Sequence, residues 1–452
     1  MKLGAAAQAT GGTACGADGT FVGVSTDSRS VAPGELFVAL KGERFDGHDY
    51  VVDVLAKGAA GALVDRTWAQ ARGAGLPLVA VDDTLVALGR LAADWRSRFD
   101  IPLIAVTGSN GKTTVKEMIA AILAAEHGVE RSLATAGNLN NAIGLPLTLL
   151  RLRAGHRAAV IELGMNHPGE TAELAAVCRP TVALINNAQR EHQEFMKSVA
   201  AVAEEHGAVI AALPAHGVAV INADDCFADY WRSVAGERRV RDFGVAKPAA
   251  VNARYTLDGS GCDLDVDTPE GRVALRLEIA GLHNVGNALA AIAAATAAGA
   301  GLAAVRSGLE SFRAVKGRLQ RKAGSAGAAV IDDTYNANPD SVRAAIDVLA
   351  DLPGRRILVL GDMGEVGDKA GQFHDEIGGY AKSMGLESLL ALGDHAAAAA
   401  HNFGDGARHF VRVEDLIAAL RPELGPDVTV LVKGSRFMRM ERVVDAIAEQ
   451  AK

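Results

Sequence analysis

The run Val106-Thr107-Gly108-Ser109-Asn110-Gly111-Lys112-Thr113-Thr114 constrains this chain more than any other stretch of it. Residues 101–106 form an apolar run of strand length, and Val115, Met118, Ile119, Ile122 and Leu123 then recur at helical spacing. A strand, a glycine loop and a helix in that order predict a phosphate cradle. Gly108 and Gly111 let the loop turn its N–H groups toward an anion, the helix N-terminus adds partial positive charge, and Lys112 can reach terminal phosphates. Thr113 offers a hydroxyl to the Mg²⁺ that accompanies them. Only Ser109 and Asn110 separate the glycines, fewer than in the usual G-x-x-x-x-G-K-[ST] loop. A glycine turn with a solvated lysine would account for the same letters in isolation. The flanking strand and helix favour a nucleotide triphosphate.

At 452 residues, and about 150 residues per domain, the chain divides into roughly three domains. The expected fold class is α/β: a small N-terminal α/β domain over 1–99, a central P-loop ATPase-like parallel sheet over 100–316, and a C-terminal Rossmann-like domain over 317–452. Strand-like runs fall at 36–39, 61–64 and 78–81, and Leu85, Leu88, Leu91 and Trp95 share a helix face before the boundary at Asp100-Ile101-Pro102. Strands then alternate with helices at 158–163, 182–185 and 218–221, as right-handed crossovers in a parallel sheet require. Residues 251–279 break the rhythm with two alternating runs around Pro269-Glu270-Gly271 and read as a hairpin. Apolar runs at 328–331, 357–360, 389–392 and 428–432 resume it, with 396–400 as part of a helix. Gly361, Gly364 and Gly367 are spaced G-x-x-G-x-x-G, which predicts a structural turn and no second dinucleotide site.

Composition narrows the function. The charged fraction of 22% and hydrophobic fraction of 49% exclude a disordered chain. With 46 basic against 54 acidic residues the net charge is −8, which excludes a general affinity for nucleic acid. Cys15, Cys178, Cys226 and Cys262 form no C-x-x-C pair, which argues against a disulfide framework or a cysteine zinc site and fits a reducing compartment. No apolar run reaches membrane-spanning length, so a cytoplasmic protein without membrane insertion is expected.

An ATP-using site needs carboxylates at strand ends. Glu162 closes the apolar run 158–163, where ligand crevices form in open α/β sheets, and suits Mg²⁺ better than a surface salt bridge. The next strand runs into 186–194, where His192 is either a second ligand or a hydrogen-bonded structural residue. Asn284, in the helix opening 281–287, either caps that helix or meets a base. In 330–339 a strand ends in Asp332 and Asp333, followed by Asn336, Asn338 and Pro339, more polar groups than loop closure requires.

Together these pieces resemble the Mur ligase family of ATP-dependent amide-forming enzymes, whose phosphate loop matches 107–114. The resemblance covers essentially the whole chain, through 25–29, 33–40, 42–48, 137–141, 162–166, 283–284 and 332–341. The last of these motifs is similar to that of the member appending D-alanyl-D-alanine to a UDP-N-acetylmuramoyl-tripeptide. The Asp-Asn-Pro-Arg signature of the sister that adds a diamino acid does not occur.

The resemblance implies a cytoplasmic, monomeric ligase in peptidoglycan synthesis, with ATP and Mg²⁺ as cofactors. Its first domain would hold the UDP-sugar, the central one ATP, and the last the incoming amine. Thr107, Gly108, Ser109, Asn110, Gly111, Lys112, Thr113 and Thr114 would bind ATP, with Asn284 at the adenine, Arg318 at the phosphates and Asp333 at the ribose. Lys112, Glu162 and His192 would be catalytic, and Thr113, Glu162 and His192 would hold metal. Asp27, Ser28, Arg29 and Asn138 would face the UDP-sugar, while Asn336, Asn338 and Ser341 would contact the dipeptide or the closed cleft. Many family members carry a carbamylated lysine shortly after the His192 position, where this chain reads Ala203-Glu204-Glu205-His206-Gly207-Ala208. Glu205 is the expected replacement metal ligand, ahead of Glu204 or His206. Another ligase of the family, a folylpolyglutamate synthetase, a P-loop regulatory ATPase or kinase, and a non-catalytic binding protein are the competing readings. The regulatory ATPase or kinase leaves the first domain and the Asn338-Pro339 motif without a purpose, and the intact Lys112-Thr113 pair and Glu162 count against a binding protein.

Overall fold

The computed structural model describes residues 1–449. Four sheets carry the architecture, and each strand-like run named above lies in one of them. The first sheet runs, in spatial order, Thr13–Cys15, Leu78–Val81, Gly61–Asp65, Glu35–Val38 and Gly23–Ser25, parallel except for its first strand. Its edge strands are short and partly exposed, so their sequences carry no apolar alternation. The second sheet is fully parallel, ordered Arg239–Phe243, Val218–Asn222, Val182–Ile185, Leu103–Thr107, Ala158–Glu162 and Ser132–Ala134. Leu103–Thr107 sits between Val182–Ile185 and Ala158–Glu162, so the phosphate loop, Glu162 and the 186–194 segment all leave one edge of the sheet together.

The segment expected as a hairpin is a three-stranded antiparallel sheet: Asn252–Leu257, Cys262–Thr268 and Gly271–Leu277. Its extra strand has no buried position and shows no apolar alternation. The Asp258 carboxylate closes the missed turn by accepting from the N–H groups of Ser260 and Gly261. The last sheet is ordered Gln320–Ala323, Ala329–Asp333, Val428–Lys433, Arg355–Gly361, Ser388–Leu392 and Ala407–Phe410, parallel but for its first strand.

The joints between these units differ in kind. Helix Thr84–Arg96 shares one buried apolar core with Gly144–Leu149 and Glu170–Cys178, through Leu88, Leu91, Leu145, Leu149 and Leu174, so the first two units are fused by hydrophobic packing. The last unit keeps its own cores on either side of its sheet, and meets the central unit through hydrogen bonds and ion pairs. Among the described residues no helix is long and apolar enough to cross a membrane.

Candidate active site

The phosphate loop folds as the sequence predicts. Gly108 and Gly111 take φ of 133° and 81°, and a Cβ on Gly111 would stand 2.4 Å from Asn287 Oδ1. Helix Lys112–His127 starts directly after it, with Gly111 as N-cap and no side chain capping the helix, so its first N–H groups face the cleft. An amide network holds the loop from behind. Ser109 N–H donates to the Asn187 carbonyl (3.0 Å), Asn110 N–H donates to Asn187 Oδ1 (2.8 Å), and Asn186 Nδ2 donates both to the Asn110 carbonyl and to Asn287 Oδ1. Thr107 is buried behind the loop, its hydroxyl 3.0 Å from His206 Nδ1.

Glu162 is buried at its strand end, where Oε1 accepts from Asn140 Nδ2 (2.8 Å) and from the Thr113 hydroxyl (3.3 Å). Its other oxygen, Oε2, is buried and has no partner. An unpaired buried carboxylate oxygen beside a phosphate-loop hydroxyl is an expensive arrangement unless a cation satisfies it. Oxygen donors of this kind suit Mg²⁺.

Across the loop, Lys112 Nζ donates to the carbonyls of Gly108 and Ser109 and to Glu191 Oε2 at 3.2 Å. Glu191 Oε1 lies 3.1 Å from His206 Nε2, and its Oε2 lies 3.8 Å from His192 Nε2. Burial alone would raise the Glu191 pKa, but Lys112, the His206 hydrogen bond and His192 hold it at about 2. His192 Nδ1 is 2.8 Å from Glu365 Oε2 of the last unit. His192 and Glu365 have φ of 47° and 59°, a left-handed backbone for two non-glycine residues that face each other across the cleft.

The last unit closes the far wall. The Arg318 guanidinium lies over the Tyr335 ring at 4.1 Å and points Nη2 at the Thr113 hydroxyl, 3.5 Å away. Asn338 caps helix Pro339–Ala350 in a capping box with Ser341 and exchanges amide hydrogen bonds with Asn110 (2.9 and 3.3 Å). Arg190 donates to Asp340 and Glu376 on two helices of this unit. All three units line a single cleft of about 1490 Å³, larger than the roughly 300–1,000 Å³ of a one-ligand pocket. Ser109, Asn110, Gly111, Lys112, Thr113, Glu162, His192, Arg318, Asn138, Asn336, Asn338 and Ser341 line it as expected.

Several expected residues sit elsewhere. Glu205 is a correction: its two oxygens accept from the N–H groups of Gly169 (2.8 Å) and Thr171 (2.7 Å), fixing the start of helix Glu170–Cys178, and Glu205 itself does not line the cleft. On helix Val199–Ala211 it is His206 that points inward, since adjacent helical positions lie about 100° apart. The Asn284 amide donates to the Ala280 carbonyl and accepts from the Asn287 amide, so it neither caps its helix nor lines the cleft. Asp333 is buried against Lys433 Nζ at 2.6 Å, Asp27 pairs with Arg29, and neither these two nor their neighbour Ser28 lines the cleft. Glu191 and Arg190 in 186–194, Asn140 in 137–141, and Lys433 also belong to the site, with no sequence signal of their own to mark them.

A phosphate loop, an unpaired acid and a three-sided cleft define an ATP-using ligase class, and comparison with known proteins agrees. Residues 106–295 match the Mur ligase middle domain, 317–436 the Mur ligase glutamate ligase domain, and 20–96 the Mur ligase family catalytic domain. The chain belongs to the Mur ligase family. It is 43% identical to the UDP-N-acetylmuramoyl-tripeptide--D-alanyl-D-alanine ligase of Escherichia coli (strain K12), over 96% of this chain and 95% of that one. The enzyme of the same name from Bacillus subtilis (strain 168) is 33% identical over 94% and 93%. Among solved structures, MurF from Acinetobacter baumannii superposes with a TM-score of 0.89 at 35% identity, covering 97% of each chain. MurF ligase from Thermotoga maritima in complex with ADP gives 0.82 at 25%, covering 94% and 96%.

Proposed function

We infer that this chain is an ATP-dependent ligase that joins D-alanyl-D-alanine to UDP-N-acetylmuramoyl-tripeptide and releases ADP and phosphate. The observation that carries the reading is the meeting of the phosphate loop and the unpaired Glu162 oxygen with walls from all three units in one cleft. A free carboxylate is a poor electrophile. Transfer of the γ-phosphoryl group to the tripeptide carboxylate supplies a leaving group, and the dipeptide amine then attacks the acyl phosphate through a tetrahedral intermediate that expels phosphate.

Each residue has a part consistent with its position. Lys112, now folded back on its own loop, turns to the β- and γ-phosphates, and the free N–H groups at the start of its helix receive phosphate oxygens. Thr113 and Glu162 would hold Mg²⁺, which would supply charge neutralisation at the phosphates. His192 serves the acceptor side of the same phosphates. Arg318, stiffened by Tyr335, meets charge as it develops on the transferred group. Asn138 faces the UDP-sugar peptide from the first-unit side, and Asn336 and Ser341 face the dipeptide. Asn338 acts as the tie between the dipeptide wall and the phosphate loop. The reaction belongs in the cytoplasm, with ATP and the UDP-linked acceptor.

ADP release tests the reading. It should require UDP-N-acetylmuramoyl-tripeptide and D-alanyl-D-alanine together. Steady ADP release with neither acceptor would instead identify a regulatory ATPase.

A further inference from the structure

The departure at 203–208 leaves a chemical question: which acid serves the metal facing the acyl acceptor, if no lysine is present to be modified and Glu205 is committed to a helix start? We propose that Glu191 is that ligand, with His206 as its positioning residue, so that this chain holds its second Mg²⁺ with an unmodified carboxylate. The proposal rests on the ligase reading above.

The geometry carries it. Glu191 is 6% exposed yet lines the cleft, and its Oε2 lies between Lys112 Nζ and His192 Nε2. Its other oxygen is pinned by His206, a fully buried ring with both nitrogens in use. A carboxylate only accepts, so Nε2 carries a proton toward Glu191, while Nδ1 pairs with the Thr107 hydroxyl. Thr107 immediately precedes the first loop glycine, so the chain Thr107–His206–Glu191 fixes the acid relative to the phosphate loop itself. This is the orienting arrangement that supports metal-binding carboxylates.

Charge balance gives the second argument. A buried carboxylate is costly unless hydrogen-bond donors or a cation satisfy its oxygens. Without nucleotide, Lys112 supplies that cation at 3.2 Å. When Lys112 turns to the phosphates, Oε2 loses its partner inside the cleft and faces His192, which leaves a position for a divalent cation. Among the described residues no three His, Cys, Asp or Glu side chains converge as a closed metal cage. That fits Mg²⁺, which is held by one or two protein carboxylates and completed by phosphate oxygens and water.

Mn²⁺ binding, read by electron paramagnetic resonance of the free ion, tests this on the full chain with β,γ-methylene-ATP and UDP-N-acetylmuramoyl-tripeptide in buffer stripped of CO₂. The wild type should bind two Mn²⁺ per chain, and adding bicarbonate should change nothing. Glu191→Gln should weaken one of the two by at least tenfold, Glu191→Asp should weaken it less, and Glu205→Ala should keep both. Full Mn²⁺ stoichiometry and affinity in a folded Glu191→Gln protein would overturn the proposal and leave Glu191 as a counter-ion to Lys112. A second Mn²⁺ that appears only with bicarbonate would overturn it as well. If the ligase reading itself were wrong, the wild type would fail to release ADP with both acceptors, whatever Glu191→Gln does to Mn²⁺.

Discussion

Arg190→Ala should loosen the last unit from the central one. Arg190 leaves the central sheet and reaches two helices of the last unit: Nη2 lies 2.6 Å from Asp340 Oδ1 on Pro339–Ala350, and Nη1 lies 2.8 Å from Glu376 Oε2 on Ala370–Ser383. Its guanidinium carbon also lies 5.3 Å from the Phe373 ring. Side-chain exposures of 23%, 21% and 32% place the three groups between the exposed and buried extremes. A buried charge-assisted hydrogen bond nets about 1.5–3 kcal/mol, and an exposed ion pair about 0.2–1 kcal/mol. At about 1 kcal/mol per carboxylate, Arg190→Ala removes roughly 2 kcal/mol from the closed arrangement, a shift of about 30-fold toward opening. Among the described residues no shared buried core compensates, because the last unit keeps separate cores. Small-angle scattering of the ligand-free protein should show a larger radius of gyration. The KM for D-alanyl-D-alanine should rise by about tenfold or more, while the KM for the UDP-linked acceptor moves little. Arg190→Lys should recover less than half the effect, because an ammonium cannot make the forked contacts. An unchanged scattering profile with a dipeptide KM within twofold of wild type would refute the reasoning.

Three further outcomes follow from named contacts. Gly111→Ala must hold a Cβ at φ 81° and 2.4 Å from Asn287 Oδ1, a left-handed penalty of about 1–2 kcal/mol plus disruption of the Asn186–Asn287 bond. Thermal scans should show a lower midpoint and no stabilisation by added ATP. Cys15 and Cys226 should react with iodoacetamide at pH 8, whereas Cys178, pushed up to about 12 by burial, and Cys262, pushed up to about 11, should be alkylated only after denaturation, as read by peptide mass spectrometry. Buried His374 donates from Nδ1 to the Ala370 carbonyl and accepts from the Met363 N–H at Nε2, and burial lowers its pKa, as it does for His283. The folded state therefore favours the neutral rings, so stability should be lost as pH falls below the unfolded value of about 6.5. A melting temperature that stays flat between pH 7.5 and 5.5 would contradict this, and the decline should flatten in His374→Gln.

What the sequence disclosed followed burial. The strands Leu103–Thr107, Ala158–Glu162 and Val182–Ile185 are buried on both faces and read as continuous apolar runs. Thr13–Cys15, Gly23–Ser25 and Ala407–Phe410 are short edges with exposed positions and gave no such signal. Lys112, Thr113 and Glu162 were legible because each is fixed by its distance from a glycine or a strand end. Glu191 was not, because its meaning depends on a histidine fifteen positions later whose direction is set by helix register. The same register sent Glu205 to a neighbouring helix. Asp333 and Asn284 have the residue types of ligand contacts, but Lys433 and Ala280 engage them first.

The central claim is that the tripeptide carboxylate is phosphorylated before the amide forms, and oxygen isotope transfer tests it most directly. With ¹⁸O in both oxygens of the terminal carboxylate of UDP-N-acetylmuramoyl-tripeptide, the acyl-phosphate route carries one labelled oxygen into the released inorganic phosphate at each turnover, and the other stays in the new amide carbonyl. Phosphate released without label while the pentapeptide product forms would contradict the account.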